Sequence, residues 1–317
     1  MNDPASAASG RAQKSSSVRR RAAWLYHHHQ MTQSEIADRL GVSRATVVRM
    51  LEDARRRNEV QVRVTEPPDE CLALALRLEQ KFSLNRVIVA PGTDDPTISV
   101  AAALGSYLSD VLRDGMSVGI GWGRTLSAAL RHLEPDRQPN TTVAALMGGL
   151  IHPEPENPIE ASWRLAGQLG AKCLLYLAPV IVDSLETKQA LMQNCGLSEI
   201  EEAAKNLDLA VVSCGDIGPQ SSSLAKDIVG SKILAQLIAR GAVCDVMCNF
   251  IDDQGNSVTH PIAHQTMSVD LDTLATSKNL VLASGGAHRA RALHAAINRL
   301  QPTTLITEEK AAMALLD

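Results

Sequence analysis

From about residue 86 onward the chain alternates short apolar runs with segments of helical period. The runs are nearly continuous in apolar residues, which is the pattern of strands covered on both faces in a parallel sheet. Strands are predicted at 86–90, 117–121, 142–147, 173–178, 209–213, 279–284 and 303–306. Helices are predicted between them, at about 97–113, 125–133, 159–169, 187–206, 223–240, 287–300 and 307–316. This order predicts an α/β fold with an open, Rossmann-like sheet.

The segment before residue 67 follows a different pattern. Residues 1–17 are polar and rich in Ser and Ala, with no hydrophobic periodicity, and we expect a disordered tail there. A first helix is predicted at 18–30, a pair of helices at 32–57 and a short alternating strand at 60–64. These elements predict a small helical domain ahead of the sheet.

The adjacent prolines Pro67 and Pro68 mark the boundary between the two domains, because proline interrupts both strands and helices. We therefore divide the ordered chain into residues 18–66 and residues 67–317. The second domain is predicted to begin with an amphipathic helix at 69–82, whose apolar positions include Leu72, Leu76 and Leu78.

The two domains differ in charge. Residues 1–66 hold twelve Lys and Arg against seven Asp and Glu, while the remainder holds 19 against 28. A basic head on an acidic body favours contact between the head and a polyanion, although many solvated surfaces are also basic.

Residues 32–57 have the residue pattern of a helix-turn-helix. Thr32 and Glu35 have the spacing of a capping box, which starts a helix. Gly41 stands where the chain must turn with positive φ, and Ser43 can cap the second helix. The predicted buried positions of the two helices are Ile36, Ala37, Leu40, Val47, Met50, Leu51 and Ala54.

In this motif the second helix enters the major groove of double-stranded operator DNA. Arg44 and Arg49 can reach guanine edges or phosphates, and Arg55 is placed to contact phosphate. A helical hairpin with a solvated basic face is the alternative interpretation. The candidate DNA-binding residues are Ser43, Arg44, Ala45, Thr46, Val48, Arg49 and Arg55.

The segment GIGWGRT, residues 119–125, follows a predicted strand and opens a predicted helix. Glycines let a backbone approach a ligand closely, and N–H groups at the start of a helix attract anions. Sugar or phosphate binding is one interpretation of this loop, and a turn that serves only packing is the other.

Taken together, the motifs resemble the SorC family of bacterial sugar-responsive regulators over about residues 18–316. The resemblance rests on the helix-turn-helix and on four further segments. These are GIGWGRT, SCGDIGPQSS (213–222), GAVCDVMCNFIDDQG (241–255) and ASGGAHRARALHAAI (283–297) with LITEEKAAMALL (305–316).

The resemblance implies a sugar-binding domain similar to sugar-phosphate isomerases and glucosamine-phosphate deaminases, without their activity. It also implies a dimer or tetramer that changes its arrangement on DNA when a small sugar, polyol or sugar monophosphate binds. Such a protein is expected to act as a repressor of a carbohydrate catabolic operon. The effector residues implied by the resemblance are Gly121, Trp122, Gly123, Arg124, Thr125, Asp245 and Arg289.

The sequence departs from the family at several positions. Arg289 stands where lysine is usual, and no arginine occurs near Met147 or Gln265, where members that bind phosphorylated sugars often have one. These departures favour an unphosphorylated polyol, such as erythritol, or a singly phosphorylated small sugar. Val48 replaces a common serine in the recognition helix, so the operator sequence cannot be carried over.

Composition limits the remaining possibilities. No apolar run approaches the length of a membrane span, and the N-terminal segment lacks the apolar core of a secretion signal. Six scattered cysteines without a CxxC pair indicate reduced, mostly buried thiols of a cytoplasmic protein. His260 and His264 lack a third ligand, so neither a metal site nor a cofactor is expected.

Two other functions stay open. The chain could be a sugar-phosphate isomerase or deaminase with a DNA-binding appendage, which would require an acid and a base beside residues 119–125. Asp216 is a candidate carboxylate for such a site. The chain could also be an architectural DNA-binding protein whose large domain serves only oligomerisation.

Overall fold

The computed structural model describes residues 4–57, 59–60, 68–151, 157–218 and 224–317. Its contacts divide the chain into two compact units, Met1–Val64 and Thr65–Asp317. No helix among the described residues has both the length and the apolar content to cross a membrane.

The described part of the N-terminal unit contains three helices, α1 (Pro4–His27), α2 (Gln33–Leu40) and α3 (Arg44–Arg56). The sequence indicates a tail without regular structure in residues 1–17, whereas α1 begins at Pro4. Alanine, arginine, glutamine and lysine favour helix, which agrees with an extension of the helix predicted at 18–30 toward the N-terminus. The strand predicted at 60–64 lies, apart from Val60, outside the described residues.

Local caps define the helix-turn-helix, as predicted. The Thr32 side chain accepts from the backbone N–H of Glu35, whose carboxylate accepts from the backbone N–H of Thr32 in return. Gly41 ends α2 with φ of 65°, a conformation that glycine adopts without steric cost. The Ser43 hydroxyl caps α3 by accepting from the backbone N–H of Thr46. Apolar side chains from all three helices form one core, which includes Leu25, Ile36, Ala37, Val47, Leu51 and Ala54.

The second unit alternates helices and strands. In chain order its elements are α4 (Asp69–Phe82), β1 (Arg86–Ala90), α5 (Pro96–Val111), β2 (Ser117–Ile120), α6 (Arg124–Ala129), β3 (Thr142–Ala145), α7 (Pro158–Leu169), β4 (Lys172–Leu174), α8 (Leu185–Asn194), α9 (Ser198–Ala204), β5 (Leu209–Val212), β6 (Gly215–Asp216), α10 (Ala225–Ala239), β7 (Ala242–Val246), β8 (Asn249–Asp252), α11 (Leu271–Ala275), β9 (Leu280–Ala283), α12 (Ala290–Leu300), β10 (Thr304–Glu308) and α13 (Glu309–Leu316). Short 3-10 turns occur at Pro261–His264 and Ala287–Arg289.

Among the residues that the structure describes, seven strands form one parallel sheet in the order β1-β10-β9-β5-β2-β3-β4. Each contains part of a strand predicted from the apolar runs, and the α/β fold class is confirmed. Two large apolar clusters lie against the sheet, as burial of strands on both faces requires. The chain runs from β2 to β3 on one side, whereas β5 lies on the other side of β2. The carboxyl ends of β2 and β5 therefore flank the point where the strand order reverses, which is the usual ligand crevice of open α/β sheets.

A second, three-stranded antiparallel sheet has the order β6-β7-β8. The strands predicted from the apolar runs include none of these three, and β6 and β8 are short. Met247 and Cys248 join β7 to β8 with φ of 52° and 58°. Two consecutive left-handed residues match the twist of a tight hairpin, but they are strained for residues with side chains. The Asn249 amide supports the turn by donating to the carbonyls of Val246 and Met247.

Helix α4 has the predicted bounds but not all of the predicted face. Leu78 is buried, whereas Leu72 and Leu76 are 50% and 58% exposed. The face that packs on the sheet is offset by about one residue along the helix and is formed by Cys71, Leu74, Ala75 and Leu78. Leucines follow one another so closely here that spacing alone does not identify the packed stripe.

Candidate functional site

The seven residues proposed to read DNA lie at the start of α3 or along it. Arg44, Ala45, Arg49 and Arg55 are exposed, and Thr46 and Val48 are partly buried. The Ser43 hydroxyl lies 2.8 Å from the Thr46 hydroxyl, so both take part in the helix cap. Arg44 Nε donates to Gln33 Oε1 at 3.3 Å. The helix thus presents a polar, cationic face whose cap residues are already oriented.

A cavity of the second unit lies at the carboxyl ends of β2 and β5. Part of it is open to solvent. Six separate segments of the described chain provide its walls. The lining residues are Thr97, Trp122, Gly123, Arg124, Thr125, Ser213, Cys214, Gly215, Leu224, Asp245, Met247 and Arg289.

The structure brings six of the seven predicted effector residues to this cavity. Gly121 lies behind the lining, where an added Cβ would come within 3.2 Å of Met247 Sδ and the Val211 carbonyl. Gly123 has φ of 143°, and a Cβ there would lie 3.3 Å from Ser213 Cβ. These glycines therefore allow the loop after β2 to pass close to its neighbours. Helix α6 has six residues, which gives less support to anion binding by its N-terminus than the sequence suggested.

Thr97, Ser213, Cys214, Gly215, Leu224 and Met247 were missed by the sequence analysis. Ser213 and Cys214 directly follow β5, so the rule that ligands bind at the carboxyl ends of strands could have indicated them. Thr97 and Met247 are brought to the cavity by the packing of α5 and of the β7–β8 hairpin. Nothing in the local sequence marks these two positions.

Asp245 is buried in β7, with 6% of its surface exposed. One part of its carboxyl accepts from the backbone N–H of Cys248, across the left-handed turn. Oδ1 has no hydrogen-bond partner among the described residues. Burial raises the pKa of the Asp245 carboxyl to about 7, against the smaller opposing effect of the Cys248 N–H. The cavity therefore contains a buried oxygen that is able to accept a hydrogen bond.

Arg289 lies opposite an acidic partner. Its Nε is 3.5 Å from Asp216 Oδ1, and the two side chains are only 14% and 17% exposed. Asp216, which the sequence suggested as a candidate catalytic carboxylate, is here the ion-pair partner of the predicted ligand-binding arginine.

Glu308 fixes the loop that carries Arg289. Its buried carboxylate accepts from the backbone N–H of Gly286 at 3.0 Å and from those of Lys310 and Ala311 at 2.8 Å. The same side chain thus caps α13 and holds the segment after β9. Sequence reasoning missed this residue, although a carboxylate at the start of a helix is a common cap.

One buried thiol, that of Cys214, lines the cavity. Cys214 and Cys244 are hydrogen-bonded, which lowers the pKa of Cys214, while burial raises the pKa of Cys244 well above its usual range. All six cysteines are free thiols, and Cys71, Cys214, Cys244 and Cys248 are buried, as the sequence predicted for most of them. His260 caps the turn at Pro261–His264 by accepting from the Ile262 N–H. Within the described part of the chain, no three His, Cys, Asp or Glu side chains are grouped to hold a metal ion.

Comparisons with known proteins agree with this architecture. A family model described as "Putative sugar-binding domain" matches residues 66–317, and one described as "Homeodomain-like domain" matches residues 15–61. The deoxyribonucleoside regulator of Bacillus subtilis (strain 168) is 27% identical over 301 residues, which cover 93% of this chain and 96% of the relative. The erythritol catabolism regulatory protein EryD of Brucella abortus (strain 2308) is 25% identical over 301 residues, covering 93% and 95%.

Among solved structures, the full-length sorbitol operon regulator SorC from Klebsiella pneumoniae has a TM-score of 0.74 at 23% identity. The match covers 95% of this chain and 99% of that chain, so the likeness extends over both units. The matched sugar-binding domain, the helix-turn-helix and the shared fold lead to one conclusion: this chain belongs to the SorC family of sugar-binding transcriptional regulators.

Proposed function

We propose that this chain binds operator DNA through α3 and that a small sugar, polyol or sugar monophosphate in the cavity changes that binding. The observation that carries the proposal is the buried Asp245 oxygen, which has no hydrogen-bond partner among the described residues and lies at the strand-order reversal. A hydroxyl group is the natural donor for such an oxygen. The relatives support this class of ligand, since their names refer to deoxyribonucleosides, erythritol and sorbitol.

On the DNA side, we assign base reading to Arg44, Ala45, Thr46, Val48 and Arg49 and phosphate contact to Ser43 and Arg55. A recognition helix uses its first turns for base edges and its later residues for the backbone. The exposure of Arg44 and Arg49 supports this division. We further propose that the protein assembles as a dimer or tetramer and binds an inverted repeat.

We assign the effector contacts to the loop residues Gly121–Thr125, to Asp245 and to Arg289. The protein then acts in the cytoplasm as a repressor of a carbohydrate catabolic operon. Ligand binding would stabilise one arrangement of the subunits and so change the spacing of the paired recognition helices.

Catalysis is the rival function, and the cavity offers it little support. Its described lining contains Asp245 but no histidine, lysine or second carboxylate. An isomerase or deaminase needs a base and a proton donor that converge on the reacting carbons. We therefore propose that the chain is not an enzyme. Turnover of any aldose or ketose phosphate by the purified protein would reverse this assignment.

Fluorescence anisotropy with upstream DNA of the protein's own operon tests the proposal. We expect nanomolar binding at moderate salt concentration and a change in affinity on addition of a sugar or polyol. Operator binding that no member of a sugar, polyol and sugar-phosphate panel alters, together with unchanged thermal stability, would instead favour an architectural DNA-binding protein.

A further inference from the structure

We propose that the cavity selects an uncharged polyhydroxylated ligand and discriminates against its phosphorylated form. The reason is that Arg289, which lines the cavity, already forms an ion pair with Asp216. The inference rests on the proposed function and narrows its ligand class. It is carried by the Arg289–Asp216 pair and by the position of Asp245.

The Arg289–Asp216 pair is the first step. Both side chains are more than four-fifths buried and 3.5 Å apart, so the arginine charge is opposed within the protein. A phosphate that approached Arg289 would have to displace Asp216 or share the arginine with it. Displacement would leave a buried carboxylate without its counter-charge, which is unfavourable.

Asp245 is the second step. Its Oδ1 requires a donor, and a phosphate dianion has none to offer. The negative charge of a phosphate would also repel the ionised carboxylate of Asp245, which is buried. A hydroxyl can donate to the ionised carboxylate and can accept from the protonated acid, and the two forms coexist near neutral pH because burial raises the pKa to about 7.

The positive charges of the lining arginines disfavour a cationic ligand. Arg124 and Arg289 both line the cavity, so an ammonium group attracted by Asp245 would approach two guanidinium groups. Asp216 opposes the charge of Arg289. A ligand without net charge neither approaches the two guanidinium groups as a cation nor competes with Asp216 for Arg289.

The uncharged lining suits a polyol. Thr97, Thr125 and Ser213 provide hydroxyl groups that can donate or accept, whereas Trp122 and Met247 provide apolar surface for the carbon chain. A polyol carries both hydroxyl and C–H groups, so it can contact the polar and the apolar parts of this lining at the same time.

Isothermal titration of the full-length protein at pH 7.5 tests the inference with erythritol, ribitol and sorbitol, the 4-, 5- and 6-phosphates of these polyols, and glucosamine. We expect at least one neutral polyol to bind ~10-fold or more tightly than its own monophosphate and than glucosamine. A monophosphate that binds more tightly than its parent polyol would overturn the inference, and so would tighter binding of glucosamine.

The substitution Asp216→Asn tests the cause. It keeps the size of the side chain but removes the charge that opposes Arg289, so we expect the preference for the neutral polyol to shrink by ~10-fold or to reverse. Asp253→Asn is the matched control, because Asp253 pairs with Arg291 at 2.8 Å on the exposed surface. An equal change in both variants, or in neither, would contradict the assignment to Asp216. If Asp216→Asn fails to fold, the titration of neutral polyols against their monophosphates on the unmodified chain still tests whether the cavity prefers the neutral ligand.

The outcomes also separate this inference from the proposed function. Release of operator DNA by sugar or polyol monophosphates alone would overturn the inference, whereas the proposed function as a ligand-responsive regulator would still hold. If no ligand binds while operator binding persists, the effector part of the proposed function fails together with the inference.

Discussion

The recognition helix and the effector cavity place their charged groups in opposite settings. On α3 the arginines at 44, 49 and 55 are exposed, while the fold of the unit is held by apolar side chains on the opposite face. At the cavity, Asp245 is buried and the side chains of the Arg289–Asp216 pair are more than four-fifths buried, so all three are part of the internal packing. In the first region binding and stability can be changed separately. In the second, the same groups serve both.

The largest effect is expected at Asp245. Its pKa in the folded chain is raised from 3.8 to about 7, so between these values the folded state retains a proton that the unfolded state loses. This contribution to stability is present below pH 4 and is lost as the pH rises through 7, by about 1.4 kcal/mol per pH unit. Relative to the unmodified chain, Asp245→Asn should therefore gain about 4 kcal/mol of unfolding free energy between pH 4 and 8. The charged groups that line the same cavity are Arg124 and Arg289, which the substitution leaves in place.

Urea denaturation at several pH values measures this difference. Asp253→Asn is the control, because the exposed ion pair with Arg291 lowers the pKa of Asp253 and gives the opposite sign. If the free energy of unfolding depended on pH in the same way for Asp245→Asn and the unmodified chain, ionisation of Asp245 would not affect stability, and the prediction would be wrong.

The next effect concerns Arg49. Arg49→Ala should weaken operator binding by at least ~30-fold, since the proposed dimer loses an arginine contact worth about 1–3 kcal/mol in each of two half-sites. Its melting temperature and its affinity for polyols should not change, because the side chain is exposed. Anisotropy and thermal unfolding measure the two quantities. Arg77→Ala, on the exposed face of α4, is the control for loss of one arginine. Normal operator affinity in the Arg49 variant would remove α3 from the DNA interface.

A smaller and mixed effect is expected at Glu308. Glu308→Gln replaces one of the two oxygens that accept backbone N–H groups, so stability should fall by about 1–3 kcal/mol. Ligand affinity should fall ~10-fold, because the loop that carries Arg289 loses its support. Glu309→Gln is the comparison, since its carboxylate contacts Gly92 rather than that loop. Loss of stability with unchanged ligand affinity would show that Glu308 supports the fold but does not position Arg289.

The smallest effect tests the other side of the comparison. Ser43→Ala removes the cap of α3 and should lower stability by about 1 kcal/mol, measured as a shift of a few degrees in melting temperature. Ser34→Ala, at an exposed position within α2, should have no such effect. A fall in operator affinity much larger than the loss of stability would indicate that the Ser43 hydroxyl also contacts DNA.

The two regions also differ in how far their features could be predicted from the sequence. Thr32, Gly41 and Ser43 act within three or four residues, so their roles follow from spacing. The strands of the parallel sheet were equally evident from their apolar runs. In contrast, the pairing of Asp216 with Arg289 joins residues 73 positions apart, and only the three-dimensional path of β6 and of the loop after β9 brings them together. The packed face of α4 was misjudged at Leu72 and Leu76 because neighbouring leucines obscure the helical period.

The Arg289–Asp216 pair has a consequence for ionic strength. A neutral ligand that leaves the Arg289–Asp216 ion pair in place displaces no counterions. Its affinity should therefore change little between 50 and 300 mM salt. Operator binding releases one cation for nearly every phosphate neutralised, and its affinity should decline steeply over the same range. When osmotic stress raises the ionic strength in the cell, the protein would then bind its operator more weakly, while its affinity for the metabolite would stay the same.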